Sequence, residues 1–186
     1  MTCLVAWRGK DATMVGTDAQ WSAGKQKGEM PEGKMWRHGR FVVAAAGNVR
    51  AMQLLQYGPQ FDEAVSDSGL VQHLIQKWVP QVFTNLNEAG QLRKDEDKTA
   101  QVEVEMLVVS RRKIVRIGGD LSVIEEKLRY AAGGSGEEIA LGYLAAKDNV
   151  TDRNAYSART IVRGALMAAS QHNTGVSPPF YTEVVR

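Results

Sequence analysis

Apolar positions along this chain fall into short blocks with two different periods, and the periods separate strands from helices. Residues 3–9 and 12–18 read as two short apolar strands around the turn Gly9-Lys10-Asp11, a hairpin pattern. Residues 34–38 and 40–46 (RFVVAAA) read as two more, turning at Gly39 and ending at Gly47-Asn48. The spacing then changes to the helical one over 49–57 and 69–88. In the second stretch Leu70, Val71, Leu74, Ile75, Trp78, Val82, Phe83 and Leu86 form one stripe. Pro80 falls inside it and predicts a bend.

Strand-like patterns return at 101–110 (QVEVEMLVVS) and 113–118 (KIVRIG) across Arg111-Arg112, with strand and turn over 121–132. Gly133-Gly134-Ser135-Gly136 leads into a helix over about 137–147. A second helix over about 154–171 has Thr151 or Asp152 as its N-cap, and a strand at 181–186 follows Pro178-Pro179. Two stretches show neither period: the glycine-rich 19–33 (AQWSAGKQKGEMPEG) and the charged 90–100. Long unpatterned connections inside a compact domain are often functional. Strand blocks and helix blocks in separate runs argue for an α+β layered sandwich rather than a doubly wound sheet.

Composition narrows the function classes. At 186 residues a single domain over 1–186 can bury a sufficient core without disulfides or metal. A net charge of +2 with interspersed signs makes no case for nucleic acid. No apolar run reaches the ~20 residues of a membrane span, and the opening residues do not read as a basic leader, so no signal peptide is expected. A single cysteine, Cys3, allows no internal disulfide and fits a cytoplasmic protein. His38, His73 and His172 lack metal-ligand spacing, so no metal is expected. Gly133–Gly136 has no following Lys-Ser/Thr, which argues against a phosphate loop.

The chemistry sits at the start. If Met1 is removed, Thr2 carries a hydroxyl and a free α-amine on one residue, a nucleophile with its own base. An α-amine titrates near ~8, so it can take the hydroxyl proton close to neutral pH. Asp18 follows sixteen residues later in Val15-Gly16-Thr17-Asp18, and Lys34 sixteen further in Gly33-Lys34-Met35. Ala46-Gly47 ends the fourth patterned strand, and Gly134-Ser135-Gly136 opens the late helix.

In these residues and spacings, over nearly its full length, the chain resembles the proteasome β-subunit family, which includes the bacterial HslV peptidases. The resemblance implies a four-layer αββα sandwich of the N-terminal-nucleophile hydrolase type, and a threonine endopeptidase. Thr2 would be the nucleophile, Lys34 a fixed positive charge beside its Oγ, and Asp18 the partner that holds Lys34. The Gly47 N–H would face the oxyanion, and Ser135 would orient the Thr2 amine. By the same resemblance the substrate groove would draw on the 19–33 stretch with Gln20, Trp21 and Met30, the strand end 44–46 with Ala45 and Ala46, and the helix beginning at Asn48. It also implies stacked homo-oligomeric rings, six- or seven-fold, unfolded polypeptide as substrate and no cofactor. ATP would enter only through a separate AAA+ unfoldase ring. The chain departs from the family at Gln171, where an Asp is expected, leaving His172, Asn173 or Thr174 beside the amine. Two other readings remain: an N-terminal-nucleophile amidohydrolase of small amides, or, with Met1 retained, an inert scaffold subunit of a ring.

Overall fold

A computed structural model describes residues 1–62, 64–93, 100–148 and 155–186. The elements follow the predicted α+β order. Strands β1 (Leu4–Arg8), β2 (Thr13–Asp18), β3 (Gln20–Ala23), β4 (Gln26–Glu29), β5 (Met35–His38) and β6 (Phe41–Gly47) come first. Helices α1 (Val49–Tyr57), α2 (Leu70–His73) and α3 (Val79–Glu88) follow. Strands β7 (Leu92–Arg93), β8 (Gln101–Val102), β9 (Val104–Val109), β10 (Ile114–Ile117), β11 (Val123–Glu125) and β12 (Tyr130–Gly133) come next. Helices α4 (Glu137–Lys147) and α5 (Ala155–His172) precede the last strand, β13 (Phe180–Val185).

The strands form two main antiparallel sheets, ordered β12-β1-β2-β13 and β11-β10-β9-β6-β5. Strand alternation sends Leu4, Ala6 and Val15 of the first sheet and Val42, Ala44, Leu107 and Val109 of the second into one shared apolar cluster. The opposite faces are covered by helices. Val5, Trp7 and Met14 pack on Leu144, Val162 and Leu166 of α4 and α5. Val43, Met106 and Val108 pack on Met52, Leu74, Trp78 and Val82 of the other helices. Both faces of β1, β6 and β9 are therefore buried, which is why their sequences read as near-continuous apolar runs.

Four expectations change. The 19–33 stretch is not an unstructured connection: β3 and β4 pair as a hairpin around Gly24-Lys25. Its mostly exposed residues bury no regular face, so no alternation was available to read. Ala46-Gly47 consequently ends the sixth strand rather than the fourth. The 90–100 stretch contributes β7, which pairs with β8; residues 94–99 and the caps expected at Thr151 or Asp152 lie outside the described residues.

Finally, 69–88 is not a uniformly α-helical segment bent at Pro80. A π turn over Leu74–Trp78 joins α2 to α3, with the Val79 N–H bonded to Leu74 O, five residues back. Pro80 has no N–H to give to the preceding turn, and its ring crowds that turn's carbonyl. The inserted residue widens the helix where this happens.

Candidate active site

The register of the first sheet brings the N-terminal residues to the late glycine turn. Leu4 pairs with Gly133 and with Thr17, so extending β1 backwards sets Cys3 beside Asp18 and Thr2 beside Ser135. The Thr2 N–H donates to Ser135 Oγ at 3.1 Å. Lys34, immediately before β5, reaches across from the second sheet. Its Nζ lies 2.7 Å from Thr2 Oγ1 and 2.9 Å from Asp18 Oδ2, and it donates to the Met1 carbonyl at 3.1 Å. Thr2, Asp18 and Lys34 are all buried, at 2%, 0% and 3% exposure.

Burying two charges requires that every lone pair and proton be used. Asp18 accepts from the Cys3 N–H at 2.8 Å and the Gln20 N–H at 3.0 Å besides Lys34. Lys34 is pulled in two directions. Burial lowers its pKa below the ordinary 10.5, and the neighbouring Asp18 carboxylate opposes that without cancelling it. A cation at 2.7 Å from a hydroxyl oxygen stabilises that oxygen as it becomes negative. Cys3, the adjacent thiol, is fully buried, and burial first and Asp18 second push it up to about 12. It is therefore a protonated core side chain, not a second nucleophile.

Two glycines hold backbone conformations and close approaches that a side chain would not fit. Gly47 has φ +135°, and a Cβ there would stand 2.0 Å from the Glu103 carbonyl oxygen. The Ala45 N–H bonds Lys34 O, so the two-residue period of the strand turns the Gly47 N–H to the same edge, beyond the start of β5. Gly134 has φ +81°, and a Cβ there would meet Thr2 O at 2.3 Å. That close approach lets Gly136 N–H donate to Thr2 O at 3.2 Å.

The departure at 171–175 also has a structural answer. Asn173 donates through Nδ2 to Ser135 O, Ser135 Oγ lies 3.4 Å from Asn173 Oδ1, and Oδ1 takes the Gly175 N–H at 2.8 Å. Asn173 thus braces Ser135, whereas His172 is exposed on the last turn of α5.

A cavity of about 280 Å³ opens beside Lys34. Met30, Pro31, Glu32, Trp36, Met52 and Gln56 are among its lining residues. Of the six groove residues inferred above, Met30 lines it. Ala45 and Ala46 are buried in the apolar clusters behind it. Gln20 is buried, with its amide donating to Thr174 O at 3.3 Å, and Trp21 is half-buried on the β3–β4 hairpin. Asn48 caps α1, its Oδ1 accepting from the Arg50 and Ala51 N–H groups, and borders a different, smaller cavity of about 200 Å³. Met52, Gln53, Gln56 and Tyr57 line it from α1, the helix beginning at Asn48 that the resemblance gave to the groove, whereas Met35 and Trp36 of β5 are lining residues that the sequence reading missed.

No protein-family model matches the chain, and no curated protein matches it. Solved structures do. BPH from Thiobacillus denitrificans superposes with a TM-score of 0.76 at 21% identity, covering 99% of this chain and 97% of that one. The same protein is also known in complex with epoxomicin. HslV from Trypanosoma brucei matches at 0.67 and 21% identity, over 98% of both chains. Anbu from Pseudomonas aeruginosa, solved as a helical assembly, matches at 0.71 and 16% identity, over 98% of this chain and 80% of that one. The likeness is one of fold. The chain shares the fold of these BPH, HslV and Anbu structures.

Proposed function

We propose that this chain, once Met1 is removed, is an N-terminal threonine endopeptidase. The observation that carries the reading is the buried Thr2–Lys34–Asp18 cluster, with Lys34 Nζ 2.7 Å from Thr2 Oγ1 and 2.9 Å from Asp18. Thr2 Oγ attacks the substrate carbonyl while its proton passes to the Thr2 α-amine. The carbonyl oxygen, now negative, is stabilised by the Gly47 N–H. Collapse breaks the C–N bond, the protonated amine returns its proton to the leaving nitrogen, and Thr2 is left as an ester. Water, deprotonated by the same amine, hydrolyses that ester and restores Thr2. Lys34 stays charged throughout, Asp18 holds it in place, and Ser135 with Asn173 orients the amine.

The four-layer αββα order belongs to this reading, supported by the helix–sheet, sheet–sheet and sheet–helix clusters. So does one domain over 1–186. The cavity beside Lys34 is the side-chain subsite, with Met30 on its wall and the β3–β4 hairpin carrying Gln20 and Trp21 near by. Self-association belongs to this reading, supported by the likeness to Anbu, which is solved as an assembly; stacked rings are the arrangement proposed here, with unfolded polypeptide as the substrate such a chamber admits. We assign no cofactor to the chain itself; an ATP-driven unfoldase would be a separate partner. Among the described residues no helix is long and apolar enough to cross a membrane, and a cytoplasmic location is part of the proposal.

One feature favours a second reading, the inert ring subunit. With Met1 present, the Met1 carbonyl takes hydrogen bonds from both Thr2 Oγ1 and Lys34, and the Met1 side chain lies against Gly175. Intact mass of the purified protein, before and after a peptide α′,β′-epoxyketone, separates the two. The reagent needs a hydroxyl and a free amine on one residue to close its ring adduct. Loss of Met1 with one adduct per chain supports the peptidase. Retained Met1 without adduct leaves the inert subunit.

A further inference from the structure

Two charged side chains stand where strand alternation points into the apolar layer between the sheets. On β9, Leu107 and Val109 face that layer, so Glu105 does too; on β10, Ile114 faces it, and with it Arg116. Neither is needed for solubility there, and charges at the rim of an apolar layer are costly unless each is matched.

The matching runs directly to the site. The Glu105 carboxylate accepts the Gly134 N–H, and the Arg116 guanidinium lies 3.9 Å from Glu105 Oε2. Arg116 also donates to Ala132 O at 2.7 Å and to Glu126 at 2.9 Å, and lies 3.0 Å from Glu137 at the start of α4. It therefore ties β10 to the end of β12 and to the first turn of α4, the two elements that flank the glycine turn. Gly134 is held in a left-handed conformation, its next residue takes the Thr2 N–H, and Gly136 grips Thr2 O.

We propose that Glu105, fixed by Arg116, is a positioning residue for Thr2: by anchoring the Gly134 N–H it sets the turn through which Ser135 and Gly136 hold the nucleophile. The inference rests on the threonine-peptidase reading. Glu105 touches no reacting atom, so it acts on the placement of Thr2 and not on the substrate cavity, whose lining it does not join.

The test compares the Met1-free full chain with Glu105→Gln and Glu105→Ala, using a fluorogenic peptide for kcat and KM and hydrogen exchange at Gly134 and Gly136. The alanine variant is expected to lower kcat by about 10²-fold, the size of a small misplacement of a reacting group, with KM little changed. Exchange at both glycines should quicken. The glutamine variant, whose amide oxygen still accepts the Gly134 N–H, should keep most of kcat and the slow exchange. An active wild type with a Glu105→Ala of equal kcat overturns this inference alone. So does a Glu105→Gln as impaired as a deletion, which also decides the matter if the alanine variant does not fold. A wild type that neither turns over nor forms the epoxyketone adduct overturns the peptidase reading and this inference together.

Discussion

Two lysine–aspartate pairs show what burial does to the same chemistry. Lys77 and Asp62 lie 3.9 Å apart with side chains 65% and 50% exposed. Lys34 and Asp18 lie 2.9 Å apart at 2% and 0%. The first pair is screened by water, and exposed pairs of this kind contribute roughly 0–1 kcal/mol. The second gives up its hydration, and the Cys3 and Gln20 N–H groups, Thr2 Oγ1 and the Met1 carbonyl make up the loss. Such a site is poor value for stability alone. On the proposed peptidase reading, its use lies in holding a positive charge against one hydroxyl without solvent to compete.

The comparison can be broken most sharply at the hydroxyl itself. Thr2→Ala should abolish both turnover and the epoxyketone adduct while the protein keeps its oligomeric size, because the removed oxygen is the reacting atom. Measurable turnover in that variant would end the mechanism.

Lys34→Ala should come next, with a loss of about 10²–10³ in kcat, the usual cost of removing one preorganised electrostatic donor. It should also lower stability by about 3–5 kcal/mol, since Asp18 is left as an uncompensated buried charge. Denaturant unfolding read against the Lys77→Ala variant gives that difference directly.

Asp18→Asn should impair activity less, and its signature is in the pH profile. The Thr2 amine must be deprotonated, so activity rises with pH through the amine pKa. Lys34 must be protonated, so activity is lost as pH rises through a value that burial places below 10.5. Removing the Asp18 charge takes away the influence that raises Lys34, so the descending limb should move to lower pH. An unmoved descending limb would mean that Lys34 is not the group lost there.

Smaller effects test the surroundings. Asn48→Ala should cost about 1 kcal/mol through the lost cap of α1, with KM nearly unchanged, since Asn48 borders a different cavity. Lys77→Ala should change stability by no more than about 0.5 kcal/mol, as for most surface substitutions.

Much of this molecule is settled by local pattern. The apolar runs of β1, β6 and β9, the helical stripe at 70–86 and the glycines at 133–136 predict their elements because burial and backbone freedom act over a few residues. The resemblance carried by Thr2, Asp18 and Lys34 marked a candidate cluster before any contact was visible. The β3–β4 hairpin was not legible, because its strands bury no regular face. The bracing of Ser135 by Asn173 and the reach of Glu105 to Gly134 were not legible either. Each joins residues far apart in sequence, and only the pairing register and the stacking of one sheet on the other bring them within a hydrogen bond. Local residue types decide which groups can act; whether a charge is dry, paired and aimed is decided by the neighbours that the fold supplies.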